Sequence, residues 1–185
     1  MMQHETDALA KTLVKMFGTE VWDDDARATA ERIMRYWREY IPRASLDFKL
    51  TTFPTEVNQL IVVNNIEFSS MCVHHLLPFW GIAHVGYIPN RLAVGLSKIP
   101  RVVDHFAKRP QIQEKLTADV ASFLKRELSP QGVAVIMIAK HTCMACRGVR
   151  KHNGHMTTSE MRGVFLTASS ARSEFLQLIN TQVTL

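Results

Sequence analysis

Apolar positions change period as the chain is followed from one end to the other, and each period predicts an element. Over residues 4 to 18, Leu9, Leu13 and Phe17 recur at helical spacing and Gly18 supplies a stop. A second stripe, Ile33, Tyr36, Trp37 and Tyr40, predicts a helix from about Asp25 to Tyr40, closed by Pro42. RASLDFKLTTFPTEVNQ is mixed and turn-rich, a connector or short strand. LIVVNNIEF and GIAHVGYIP then read as strands, with RLAVGL as hairpin partner of the second across Pro89 and Asn90. LLPF contains Pro78 and reads as a loop or strand edge, which places Cys72 to His75 in a connection between strands.

Beyond the strands the helical period returns. A short helix is expected from about Ile99, and after Pro110 a long one carries Ile112, Leu116, Val120, Leu124 and Leu128 at steps of four. Ser129 to Gly132 ends it. VAVIMIAKH is the most apolar strand; a polar excursion follows, returning to a strand at RGVFLT, and SARSEFLQLIN closes the pattern as a helix. The order predicts an α+β fold in which helices cover one face of a largely antiparallel sheet.

Composition narrows the chemistry. A formal charge of +5 favours anionic partners, and the basic residues cluster in SKIPRVVDHFAKRP and CRGVRKHNGH, beside the cysteines and histidines. Three cysteines, two in metal-like spacing, argue for a reducing compartment and against a disulfide framework. The start, MMQHETDALAKTL, reads as neither a signal peptide nor a membrane-spanning helix, so the expected location is the cytoplasm.

The candidate chemistry lies in MCVHHLLPFWG and HTCMAC. Cys72 and His75 have the C-x-x-H spacing of two ligands of one metal, and two arrangements complete the set. Cys72, His75, Cys143 and Cys146 would make a closed Cys3His structural zinc; Cys72, His75 and one later cysteine would leave a fourth position for water. Spacing leaves both open. The open site gives His74 and His141 work as proton carriers; in the closed one they are polar residues at strand ends.

The run SSMCVHHLLPFWGIAHVGYIPNRLAVGLSKIPRVVDHFAKRPQIQEKLT, together with HTCMACRGV, TTSEMRGVF and SEFL, closely resembles the GTP cyclohydrolase I family; TAERIMRYW resembles it more weakly, with Ala30 where the family has proline. The resemblance implies zinc held by Cys72, His75 and Cys143, with Cys146 not a ligand and His74 and His141 as catalytic histidines. It further implies GTP or a related guanine nucleotide as substrate, its phosphates contacted by Ser97, Lys98, Arg101, Arg147 and, from a neighbouring subunit, Arg32, and its guanine read by Glu114. Read alone, those cations are ordinary solvated charges, and Glu114 is an acid favoured at a helix start. The implied product is 7,8-dihydroneopterin triphosphate with release of formate. The implied fold is the tunnelling fold, with residues 1–45 as an N-terminal helical extension and 46–185 as the catalytic domain. The implied assembly is a decamer of two pentameric rings with active sites at interfaces, without nucleic acid or membrane as partner.

One departure stands out: where the family reads C-E-H-H, this chain has Val73. It predicts altered handling of the sugar or of a later step, with zinc retained. Competing expectations are an enzyme of the same fold acting on a related nucleotide or for a deazapurine pathway, a silent GTP-binding relative, and a zinc-stabilised nucleic-acid-binding protein. The last requires Cys146 as a fourth ligand and a continuous basic surface.

Overall fold

Three long strands grow from the apolar runs between residues 61 and 141, and a fourth from the more polar MTTSEMRG, in the computed structural model, which describes residues 2–18, 25–40 and 49–181. The expected stop at Pro42 and the first part of the connector lie outside the described residues. The chain divides into two compact units, Met1–Ala44 and Ser45–Leu185.

In the first unit α1 (Met2–Phe17) and α2 (Ala26–Tyr40) appear where the stripes predict them. Gly18, at φ 81°, ends α1 with its N–H on Val14 O at 2.9 Å. Ala30 is fully buried, and Arg27 reaches Asp7 at 3.5 Å.

In the second unit β2 (Ile61–Cys72), β3 (Pro78–Ile88), β6 (Gly132–His141) and β7 (Met156–Gly163) form an antiparallel sheet in that order, and β5 (Pro110–Gln111) adds a short parallel pairing to the outer edge of β2. The expected hairpin of RLAVGL with β3 is not formed. β4 (Leu92–Val94) pairs instead with β1 (Thr52–Pro54), because β2 and β6 already occupy both edges of β3. At the other end, RGVFLT is not a strand: β7 stops at Gly163 and residues 164–167 are a helical turn, α6 (Val164–Thr167). Gly163 has φ 63°, and a Cβ there would collide with Gln131 O, so only glycine makes this corner.

Helices α3 (Lys98–Ala107) and α4 (Gln113–Leu128) cover one sheet face, where Leu116, Val120, Leu124 and Leu128 of α4 are fully buried with Val133, Val135 and Met137 of β6. The stripe begins at Leu116; Ile112 caps the helix and is exposed. Alternate residues of β6, Ala134 and Ile136, face the other side, where Phe165 and Phe175 of α7 (Ser169–Asn180) pack edge to face at 5.9 Å. The fold is α+β with N-terminal helices, of the kind the tunnelling fold requires, and α6 and α7 add a partial cover on the second face.

A β-bulge in β2 decides where the cysteine points. Val63 pairs with Val85 and Ile66 with Ala83, so β2 advances three residues while β3 advances two. Asn65 takes φ 54° there, a conformation asparagine tolerates better than most residues. Ahead of the bulge Ile61 and Val63 face the α3/α4 core; after it Ile66, Phe68 and Cys72 do.

Candidate metal centre

β2 runs further than its apolar letters suggest, through two serines to Cys72, and the chain then turns tightly. The carbonyl of Cys72 accepts from Leu76 N–H at 2.8 Å and His75 N–H at 3.3 Å, while Cys72 N–H donates to Leu77 O at 2.9 Å. Leu76 sits at φ 51° to close the turn. This folds His75 back over Cys72, with Nδ1 3.6 Å from Sγ. The third member arrives from β6, whose end continues directly into the short helix α5 (Thr142–Ala145). Thr142 Oγ1 donates to Pro78 O at 2.6 Å, which fastens α5 to the start of β3 and sets Cys143 opposite the turn.

The ligand atoms of Cys72, His75 and Cys143 lie within 4.8 Å of one another, the one such His/Cys/Asp/Glu group among the described residues. Zinc bonds of about 2.3 Å to sulfur and 2.0–2.1 Å to nitrogen, at tetrahedral angles, put S and N about 3.6 Å apart, so the Cys72–His75 pair already has the spacing zinc needs. Two thiols and an imidazole are a soft donor set suited to zinc. Cys146 is exposed at the C-terminal end of α5 and is not part of the group. The closed Cys3His arrangement is therefore not formed. Burial and the neighbouring Cys72 push the Cys143 thiol above its ordinary pKa, so a metal must displace its proton on entering.

The other expected residues lie in four places. His74, His141 and Arg147 stand at the triad. His74 is exposed, with Nδ1 3.9 Å from Cys72 Sγ. His141 ends β6, its ring stacked on Phe79 with centroids 4.4 Å apart and planes 7° from parallel. Burial lowers its pKa, partly offset by the Glu114 carboxylate, which favours the neutral ring. Arg147 Nη1 lies 2.7 Å from His75 Nε2; a guanidinium only donates, so Nε2 accepts and the ring's hydrogen sits on Nδ1, facing Cys72.

Ser97, Lys98 and Arg101 form the second group, at the start of α3, with Ser97 at the N-cap and Lys98 and Arg101 three apart on one side. Glu114 is exposed in the first turn of α4. Arg32 is exposed on α2, in the first unit.

The residue that sequence reading passed over is Gln113. It is 1 % exposed and its Oε1 lies 2.7 Å from His141 Nε2. A signal was present: Gln113 stands three residues before Leu116, on the apolar stripe of α4, where a polar residue needs buried partners.

A sequence profile of the family described as GTP cyclohydrolase I matches residues 6–180 of the chain. The protein from Sulfurihydrogenibium described as GTP cyclohydrolase 1 is 46% identical over 155 residues, covering 84% of this chain and 83% of its own. Those of Aquifex aeolicus and Campylobacter jejuni carry the same description: the first is 44% identical over 174 residues, covering 91% and 94%, and the second 40% identical over 184, covering 97% of both. A solved structure, archaeosine synthase QueF-Like in the apo form, is similar over 56% of this chain and 93% of its own at 18% identity and a TM-score of 0.45, a likeness too slight to bear on the fold.

Proposed function

The chain belongs to the GTP cyclohydrolase I family, a family of enzymes, and from that premise we propose that it hydrolyses the imidazole portion of GTP, releases formate and yields 7,8-dihydroneopterin triphosphate, the entry to pterin synthesis. The convergence of Cys72, His75 and Cys143, with Cys146 left out, carries this reading, because a three-ligand centre keeps a position for chemistry.

Bound zinc supplies Lewis acidity that makes water a nucleophile near neutral pH. The chain's own groups do the rest. Glu114 offers two acceptor oxygens to the N1 and amino hydrogens of guanine, a pair adenine does not present. Ser97, Lys98, Arg101 and Arg147, with Arg32 from a neighbouring subunit, hold the triphosphate; the arginine forks match phosphate oxygens. Water adds across the C8–N7 double bond, its hydroxyl to C8 and one proton to N7. His74 and His141 then pass the hydroxyl proton to N9 as the C8–N9 bond breaks, leaving a formyl group on N7. A second water takes the formyl carbon from N7, and formate leaves; the ribose then opens and rearranges to a ketone at C2′, on which the N7 amine closes with loss of water to give the dihydropterin ring. Positioned proton carriers of this kind contribute about 10² to 10⁴ in rate.

Residues 1–45 serve as a helical extension and 46–185 as the catalytic domain. The working assembly is a decamer of two pentameric rings. β7 supports it, since among the described residues β7 has a partner on one edge only and a neighbouring subunit's strand would cover the other. The expected setting is the cytoplasm; no described helix is long and apolar enough to cross a membrane.

A second reading concerns the sugar. Val73 is 45 % exposed beside the triad, where an acidic side chain could accept from a ribose hydroxyl and valine cannot. It favours a weaker distinction between ribo- and deoxyribonucleotides, with zinc unaffected.

The test is to incubate the zinc-loaded protein with GTP and follow formate and the fluorescent pterin product. Both are expected in equal amounts. A fully zinc-loaded protein that binds GTP and releases no formate would overturn the proposal.

A further inference from the structure

We propose that Gln113 is the positioning residue that selects which nitrogen of His141 exchanges protons, holding Nε2 and leaving Nδ1 free. The inference rests on the reading of His141 as a proton carrier. Its support is the direction of the Gln113 amide. Gln113 Nε2 lies 3.1 Å from Met137 O, 3.0 Å from Met156 O and 3.1 Å from Thr158 Oγ1. Two of these are backbone carbonyls, which only accept, so the nitrogen end must face them; reversing the amide would set three oxygens together.

With the nitrogen so placed, the oxygen is the end that meets His141, at 2.7 Å from Nε2. An amide oxygen only accepts, so Nε2 carries a hydrogen, and in the neutral ring the lone pair is on Nδ1. The stack on Phe79 holds the ring plane, and the 2.7 Å contact with Gln113 holds the Nε2 edge of the ring against the amide oxygen. Thr117 supports the arrangement, with its Oγ1 2.8 Å from Gln113 O and 2.6 Å from Thr158 Oγ1. Gln113 thus links α4 to β6 and β7, and its one remaining polar atom sets the His141 tautomer. Such an orienting partner behind a working histidine is a common source of catalytic precision.

Three variants and one pair test this in the zinc-loaded enzyme: Gln113→Met, which keeps the length and loses the acceptor; Gln113→Glu, which keeps an acceptor oxygen; His141→Ala; and Gln113→Met combined with His141→Ala. Gln113→Met is expected to lower kcat for formate release by about 10²-fold with KM for GTP changed less than about twofold. Gln113→Glu is expected to recover at least about tenfold of that loss, and the double variant to be no more than about twofold slower than His141→Ala.

A loss on Gln113→Met that is as large without His141 as with it marks a structural role and overturns the inference. So does a Gln113→Glu protein that folds, holds zinc and is as slow as His141→Ala, which keeps the test decisive should Gln113→Met fail to fold. The two readings separate cleanly: wild-type formate release by His141→Ala overturns the proton-carrier reading, whereas loss in His141→Ala with full activity in Gln113→Met overturns this inference alone.

Discussion

Replacing Cys143 by alanine removes one of the three ligands whose donor atoms lie within 4.8 Å of one another, whereas replacing Cys146 removes an exposed thiol outside that set. Four-ligand structural zinc sites are worth about 10–16 kcal/mol at neutral pH, or about 2.5–4 kcal/mol per ligand. That corresponds to about 10²–10³ in Kd, so Cys143→Ala is expected to weaken zinc by at least about 10²-fold and abolish formate release. Cys146→Ala should stay within about twofold of wild type in both. The proton on Cys143 gives a second readout. Its thiol is held protonated by burial and by Cys72, and zinc must displace that proton, so affinity rises with pH by about tenfold per unit for this group. Competition against a chromogenic chelator between pH 6.5 and 8 measures both effects: the slope of log affinity against pH should fall by about one in Cys143→Ala and not change in Cys146→Ala. Equal zinc loss in the two variants, or an unchanged slope, would refute the three-ligand centre and restore the closed one.

Four further outcomes are expected. Zinc at His75 Nδ1 puts the ring hydrogen on Nε2, opposite the Arg147 donor, so Arg147→Ala should bind zinc about fivefold more tightly, as for a hydrogen bond worth about 1 kcal/mol, while GTP binding weakens; looser zinc binding would contradict the tautomer reading. Phe175→Ala empties a fully buried site against Phe165 and should cost about 3–5 kcal/mol in chemical denaturation, with less than 2 kcal/mol meaning that the second sheet face is not a core. His84 is buried, and its Nδ1 lies 3.5 Å from the Asn65 N–H of the bulge; burial lowers its pKa, so its neutral form stabilises the fold above the unfolded pKa of about 6.5, and stability should fall below that by at most about 1.4 kcal/mol per pH unit. His84→Asn, which does not titrate, should show a shallower loss between pH 6.5 and 5, and parallel curves would remove His84 from the account. Val73→Glu should change the ratio of deoxy-GTP to GTP turnover by about fivefold, the worth of one hydrogen bond of about 1 kcal/mol; an unchanged ratio, with equal formate and pterin yields, ends the sugar reading.

Local pattern located most elements because most of them bury one stripe or face. The steps of four from Leu116 to Leu128 could only be a helix against a sheet, whereas the cover on the second face of β6, provided by Phe165 and Phe175, goes beyond the one-face cover that the order of elements predicted. Pairing was less legible. RLAVGL has the letters of a third hairpin strand, but whether an edge of β3 is free depends on β6, more than thirty residues further on. At RGVFLT the misreading came from taking valine, phenylalanine and leucine as alternation and not weighing the glycine before them. In the site, the ligand motifs were legible as C-x-x-H and HTCMAC, yet spacing alone left Cys143 and Cys146 equivalent; the fastening of α5 to Pro78 separates them. Gln113 was hidden because its role is written in its burial and its partners on β6 and β7, not in its neighbours along the chain.

The extra residue in β2 makes the metal centre depend on parity. From Ile66 to Cys72 every second side chain faces the helices, so the cysteine reaches the triad because an even number of steps separates it from the bulge. Straight alternation with Asn65 kept in the strand would turn either Cys72 or the Ile61–Val63 face outward, whereas deleting Asn65 removes the extra residue and leaves both on one face; a single insertion between Phe68 and Cys72 turns the cysteine alone outward. A pair of inserted residues keeps the face but moves the thiol about 7 Å along the strand, beyond any zinc bond. This stretch therefore tolerates changes of letter far better than changes of length, and the interval from Ile66 to Cys72 acts as a measured spacer whose content is negotiable and whose count is not.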